Sequence, residues 1–439
     1  MNTKLSFVTR VLVVLALLVP FTILNDGAAL AQSINASMAG TITDSSGALV
    51  PGATVTLVNL DTGIRSTTAT NSAGRYAFPA VPPGANYSLT VAHPAFQAFE
   101  LTDFKLIAGQ SLSQDATLKV GAATEKVVVS AGGLVELLES GSNDLGNVIA
   151  PQAVQQLPLN GRNFLQLALV SGATQYSGTN DASNTGNIGV PDISVNIAGT
   201  NNDYTGYLVN GVELKGSRAG NVGLSISPSA VQEFKVNYGF FMPDLGPDPG
   251  VVSIITKSGT NSLHGEAYEY LRNNIFDARD YFNPQALAPF RQNQFGGSLG
   301  GPVRKDKDFF FFNYEGMRQV QDTFTAGFTP TQAMFDGDLS AIPNPIYNPF
   351  QTDPSTGARM AFPGNKIPSA AISPVAKNLL AYYSPGSSYS ARPNNISGNP
   401  SVTYDSDQVT ARVDGNLSAQ NTLFVQYNSQ DANRVTLGL

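Results

Sequence analysis

The 439-residue chain has no cysteine, no tryptophan and only two histidines, His93 and His264. Without cysteine, disulfide scaffolds, thiolate-bound zinc, iron–sulfur clusters and thiol catalysis are all excluded. Two imidazoles 171 positions apart, neither in an H-E-x-x-H pattern, make a poor start for a catalytic zinc site. No phosphate-cradling G-x-x-x-x-G-K-[ST] loop and no dinucleotide fingerprint occurs, so no cofactor is expected. Gly296-Gly-Ser-Leu-Gly300 fits the nucleophile-elbow pattern G-x-S-x-G. Gly301-Pro302 follows it, however, and no histidine lies beyond His264. An elbow needs a helix after the serine and a later histidine, so the match carries no chemistry and the chain is not read as an enzyme.

Charge is also scarce, at 13% Asp, Glu, Lys and Arg against about 25% in soluble proteins. One apolar run stands out, Val11–Leu24, 14 residues long and preceded by Lys4 and Arg10. It is shorter than the ~20 residues that span hydrocarbon. With Ala29-Leu-Ala31 after it, the segment 1–31 reads as a secretory signal peptide cleaved between Ala31 and Gln32. Without Lys4, Arg10 and Asp26, 23 basic and 31 acidic side chains remain, a net charge of −8. No basic stripe is left to neutralise phosphates, so nucleic acid is not an expected partner. If the remaining chain enters a membrane it must do so as a β-barrel.

What is abundant points the same way: 42 glycines, many Asn, Ser and Thr, and 9% aromatics, the composition of strands joined by polar turns. Within 33–120, Val55 and Leu57 alternate with Thr54 and Thr56. Tyr87, Leu89 and Val91 alternate with Ser88 and Thr90, and Ala116, Leu118 and Val120 with Asp115, Thr117 and Lys119. Asp44-Ser-Ser-Gly47, Pro51-Gly52, Asn71-Ser-Ala-Gly74 and Pro82-Pro-Gly84 supply turns between them. About seven short strands predict a β-sandwich. Gly40–Gly47, Pro51–Val55 and Asn71–Phe78 resemble the carboxypeptidase regulatory-like family, a transthyretin-like sandwich. That resemblance implies no peptidase activity. It allows either carbohydrate contact or a spacer role.

Residues 121–133 change character. Glu125, Lys126, Val127, Val128, Val129, Ser130 and Ala131 form a strand-prone run between Gly121 and Gly132-Gly133. On residues alone it is an edge strand for another protein's sheet, one more strand of the sandwich, or a linker. Between 134 and 262, Ala150–Leu169 is helical in parts, with breaks at Pro158 and Gly161. Residues 176–202 read as loop, and Tyr207–Val209, Phe234–Asn237 and Val251–Thr256 as strands. The loop Thr179–Gly186 carries oxygen ligands of the kind Ca²⁺ takes, but a solvated loop is the expectation. From 263 on, hairpins lengthen. In the last, Val409, Ala411 and Val413 alternate with Gln408, Thr410, Arg412 and Asp414, then Leu423, Val425 and Tyr427 with Phe424, Gln426 and Asn428. A transmembrane barrel shows this alternation, and so does a soluble hairpin.

Read in order, Leu157-Pro-Leu-Asn-Gly-Arg-Asn-Phe-Leu165, Tyr207–Glu213, Ser227–Val236, Gly250–Asn261 with His264-Gly265, Arg291–Val303 and Asp308–Gly316 resemble a TonB-dependent outer-membrane receptor of the Oar-like type. The resemblance implies a plug at 134–262, barrel strands over 263–439 and a long extracellular loop at about 317–404. It makes Glu125–Ala131 the TonB box. It also implies the TonB energy-transducing protein, outer-membrane lipid and an extracellular ligand, a carbohydrate among the candidates, as partners. The run Gly239–Gly250, with three prolines, departs from the family's charged, glycine-rich approach. Such barrels use about 22 strands, so the chain is expected to be an N-terminal fragment. The expected fold is therefore mainly β: signal peptide 1–31, transthyretin-like sandwich 32–120, TonB-box linker 121–133, α+β plug 134–262, and the first strands of an incomplete barrel over 263–439. The rival reading is a secreted carbohydrate-binding or adhesion β-protein, which would stay soluble without detergent.

Overall fold

The computed structural model describes residues 35–121, 126–130, 145–149, 151–157, 159, 162–177, 194–215, 222–241, 245–278, 287, 289–322, 325–389, 394–398, 400–418 and 421–436. Ala31, Gln32, Glu125, Ala131 and the loop 179–186 lie outside them. The described chain is mainly β, and no described helix is long and apolar enough to cross a membrane. Residues 1–269, 294–317 and 406–433 group into one compact unit, and 270–293, 318–405 and 434–439 into another.

The first unit opens with the sandwich. One sheet carries β1 (Ala36–Asp44) in its middle. The other runs β3 (Arg65–Ala69), β2 (Thr54–Asn59), β5 (Gly84–Ala92), β6 (Ala98–Leu106) and β9 (Lys126–Ser130). Around β1 lie β4 (Arg75–Val81), antiparallel, then β7 (Ser111–Ser113) and β8 (Ala116–Leu118), both parallel to it. The expected alternation places Val55, Leu57, Leu89 and Val91 inside, against Met38, Ile42 and Phe104, all 2% exposed or less. Each such side chain is worth about 1.5–3 kcal/mol on burial. Val120, expected on the inner face, is 77% exposed, because β8 ends at Leu118.

Turn chemistry fixes where the sandwich strands end. The Asp44 carboxylate accepts from the Ser46 and Ala48 amides at 2.8 and 2.9 Å, and Gly47 takes φ +84°. Asn71 repeats the device, accepting from the Ala73 and Arg75 amides. Two phenols reach into the sandwich and still find acceptors. Tyr76 Oη donates to Gln114 O at 2.7 Å and Tyr87 Oη to Pro82 O at 2.6 Å. Burial pushes the Tyr87 hydroxyl up to about 12.

Next comes a five-stranded mixed sheet in the order β10 (Gly146–Ile149), β15 (Val231–Tyr238), β16 (Gly250–Thr256), β13 (Thr205–Val209), β14 (Val212–Glu213). A side ladder pairs β11 (Thr174–Ser177) with β12 (Ser194–Ile197). β16 is buried along its whole length, as a near-continuous apolar strand covered on both faces should be. The expected helical stretch is split: α1 (Pro151–Gln156) and a 3-10 turn at Phe164–Val170, capped by the Asn163 side chain. Phe164, Leu167, Phe234 and Ile254 pack into one core. A methyl group at Gly250 would stand 2.5 Å from Ile197 Cβ, so the proline-rich approach delivers β16 where only glycine fits. Sequence reasoning missed β10 and β14 and read 176–202, which holds β12 and the end of β11, as loop. Asn210 (φ +47°) and Gly211 (φ +81°) join β13 to β14 in a tight hairpin, and the Asn-Gly pair is the standard signal for such a turn.

The long strands begin with β17 (His264–Asn273), β18 (Phe290–Arg304) and β19 (Asp308–Asp322). Four short strands intervene, β20 (Thr325–Gly327), β21 (Tyr347–Thr352), β22 (Arg359–Ala361) and β23 (Ile396–Gly398). Then come β24 (Ser401–Asn416) and β25 (Thr422–Thr436). The five long ones, of 10 to 16 residues, form an open sheet in the order β17-β18-β19-β24-β25. Each reaches or exceeds the ~9–11 residues a tilted strand needs to cross hydrocarbon. In β19, Phe309, Phe311, Asn313 and Glu315 are buried, while Phe310, Phe312 and Tyr314 between them are half-buried. The G-x-S-x-G match lies wholly within β18, without a turn or helix.

The second unit is largely the insert between β19 and β24. Its pairs β20–β23 and β21–β22 are joined by α2 (Gln332–Phe335) and α3 (Pro374–Leu380). Side-chain amides organise it more than apolar packing does. Asn395, 6% exposed, donates to Thr329 O and Ser388 O and accepts from Thr329 N. Asn365 likewise ties Ile342 and Asn344 to Ile346.

Candidate functional site

Two polar clusters join the mixed sheet to the long strands within the first unit. The first centres on Glu315 of β19, 3% exposed. One carboxylate oxygen accepts from Ser227 Oγ at 2.8 Å and Tyr268 Oη at 2.6 Å, the other from Gln294 Nε2 at 2.8 Å. Arg162 stands 3.5 Å from the same carboxylate, donates to Ser229 Oγ at 3.0 Å, and lies 4.6 Å over the Tyr268 ring. Its backbone is in the left-handed region, φ +52°, which for a long side chain needs a surrounding structure that holds it. Lys257 sits beside this group. Burial holds its ammonium below the usual lysine value, while Glu266, 3.6 Å away, acts against that.

The second cluster centres on Thr256, the last residue of β16. Its amide donates to Asn210 Oδ1 at 3.1 Å and its hydroxyl to Gln426 Oε1 at 3.1 Å, while Asn210 Nδ2 also bonds Gln426. Arg412 donates to the Thr256 carbonyl at 3.3 Å, pairs with Asp414 at 2.7 Å and stacks 4.5 Å over Phe424. Ser225 N donates to Gln430 Oε1 at 2.9 Å. The polar side of the terminal hairpin thus faces the mixed sheet. Desolvated charges and amides of this kind hold only while every partner is present. Arg162 and Ser227 lie in segments that carry the family resemblance, yet sequence reasoning assigned them no role. Glu315 was equally unassigned, although its parity with Phe309 and Phe311 is a usable signal.

The sequence-predicted partner strand lies elsewhere. Lys126, Val127, Val128, Val129 and Ser130 form β9, the outermost strand of the second sandwich sheet, parallel to β6 with Glu100 opposite Val128. Of the readings left open by the residues, one more sandwich strand is the arrangement seen. Lys126 Nζ reaches Glu100 at 2.6 Å and Ser130 Oγ donates to Asp103 at 2.8 Å. Val128 is 57% and Val129 43% exposed. The sandwich in turn is tied to β15, where Glu233, 5% exposed, accepts from the Ala108 amide at 3.0 Å. Among the described residues, no group of three or more His, Cys, Asp or Glu could hold a metal ion.

Comparison with known proteins follows this layout. Residues 37–119 match the carboxypeptidase regulatory-like domain and residues 255–438 an outer membrane beta barrel domain. The TonB-dependent transporter Oar of Myxococcus xanthus is 26% identical over 323 residues, which is 70% of this chain and 29% of that protein. Among solved structures, a mutant ferric enterobactin receptor from Pseudomonas aeruginosa, bound to enterobactin, overlaps 66% of this chain and 33% of its own (TM-score 0.36, 15% identity). The siderophore receptor PirA from Acinetobacter baumannii overlaps 65% and 40% (TM-score 0.32, 16% identity).

Proposed function

Because this chain is a homologue of TonB-dependent outer-membrane transporters and is localised to the outer membrane, we propose that it serves as a receptor whose plug, about 134–262, occludes a barrel and is moved by TonB. Glu125–Ala131 is the TonB box, reached from the periplasm, and the extracellular ligand is taken up by transport rather than transformed. The observation that best supports this is the seam around Glu315 and Thr256, which is built of hydrogen bonds and ion pairs rather than apolar contacts. A polar seam can let go and re-form as its partners re-solvate, whereas an apolar one resists exposure. Homology to barrel proteins weighs against the secreted adhesin reading.

The test is strand addition by the purified periplasmic domain of TonB. Proline at Val128 removes a main-chain donor and fixes φ near −65°. That costs on the order of 1 kcal/mol, roughly fivefold in affinity, while Val128→Ala should bind like the parent. Energised uptake by the full-length gene product should be lost in Val128→Pro alone. Equal binding and uptake by both variants would show that the segment is a structural linker.

A further inference from the structure

We infer that the sandwich stores the TonB-box strand, with the free edge of β6 acting as an intramolecular competitor that must release β9 before TonB can pair with it. The inference rests on the reading of Glu125–Ala131 as the TonB box and adds a regulatory contact to it.

Three observations carry it. First, β9 belongs to the sheet but not to the core: none of its residues joins the sandwich cluster, and the matched regulatory-like domain ends at residue 119. The sandwich can therefore lose β9 without opening its interior. Second, the strand is in a defined register, Ala98↔Lys126 through Thr102↔Ser130. Its two ends are fixed by the Lys126–Glu100 ion pair and the Ser130–Asp103 hydrogen bond. A stray linker would have no need of either. Third, β9 meets the sandwich through its main-chain register and side-chain links such as these, with Val128 and Val129 facing solvent. Five residues held in this way form a weak clasp, of the strength a competing strand can displace. A strand whose binding-competent state is only partly populated shows an affinity reduced by that fraction. The clasp thereby sets how readily TonB captures the chain.

The absence of cysteine in the chain makes the test clean. Glu100→Cys with Val128→Cys places two thiols at registered positions of β6 and β9. In the whole chain, purified in detergent, mild oxidation should join them, and the oxidised form should lose at least tenfold in affinity for the purified TonB periplasmic domain. Reduction should restore binding. Independently, Glu100→Lys replaces the ion pair with Lys126 by two neighbouring ammonium groups and should raise the affinity several-fold with the box sequence untouched. Storage is overturned if the disulfide does not form. It is also overturned if the oxidised chain binds TonB as well as the reduced one, the result expected if TonB adds to the outer edge of a β9 that stays in place, or if Glu100→Lys leaves binding unchanged. Failure of parent and reduced double variant alike to bind would instead remove the TonB-box reading itself.

Discussion

The sandwich and the seam between the mixed sheet and the long strands solve the same problem, burying surface between β-layers, with opposite materials. In the sandwich, Met38, Ile42, Leu57 and Leu89 face one another, and the two buried phenols are satisfied by nearby carbonyls. In the seam, a carboxylate, a guanidinium, amides and hydroxyls meet directly. Apolar burial is non-directional and tolerates small shifts. A hydrogen-bonded seam is either made or broken. The first suits a body that stays closed, the second a surface that can part by exchanging its partners for water.

That contrast can be broken most sharply at Glu315. Alanine there strands Arg162 and Gln294 in a desolvated site, and breaking a buried pair in this way costs about 3–5 kcal/mol. Hydrogen exchange at the amides of β15 and β16 should quicken accordingly while the sandwich amides stay protected. Unchanged exchange would mean that the carboxylate does not seat the mixed sheet. The reciprocal change is Leu89→Ala, fully buried in the sandwich, with a cost of about 2–5 kcal/mol. Unfolding of the sandwich should come at lower denaturant, with exchange near Thr256 unmoved; a coupled loss in both regions would erase the distinction drawn here.

Smaller effects sharpen it further. Asn210→Ala loses side-chain bonds to Thr256 and Gln426 and puts a Cβ-bearing residue without a polar side chain at φ +47°. A loss of about 1–3 kcal/mol is expected, confined to the hairpin and read as faster exchange at Thr256. Wild-type protection at Thr256 would count against Asn210 helping to join the layers there. Smallest is the sandwich turn at Asp44, whose carboxyl is held below the usual value by the Ser46 hydroxyl and then by the Ala48 and Ser46 amides. Its folded pKa is depressed, so the contribution is full above the unfolded value near 3.9 and disappears as pH falls through the folded one. Asp44→Asn should flatten that acid limb of the sandwich's stability curve, and an identical limb would assign it to other carboxylates.

Much of this architecture was legible along the chain because strand faces repeat every two residues. The alternations at Val55–Leu57 and Leu89–Val91 each named the correct buried side, that at Gln408–Asp414 marked a strand without saying which face turns inward, and the apolar run at Val251–Ile255 marked a strand covered on both faces. Val120 failed since alternation cannot say where a strand stops. The seam was hidden for a different reason: Arg162, Ser227, Tyr268, Gln294 and Glu315 are spread over more than 150 positions, and only the fold brings them together. For β9 the residues offered the sandwich sheet as one of several places, and only the fold selects it.

The course of the chain through the mixed sheet also has a mechanical consequence. β10, the first strand reached from the N-terminal side, is an outer strand four residues long, held to β15 alone. At the other end, buried β16 runs into β17 through just seven residues, 257–263. Seven residues reach at most about 25 Å when taut. A load applied upstream therefore peels the short outer strand first, while the central one is tethered to the membrane strands by a leash too short to let the sheet leave. Work done on this chain would be absorbed in small, reversible rungs, and single-molecule pulling from residue 130 should show a first rupture limited to the segment before α1.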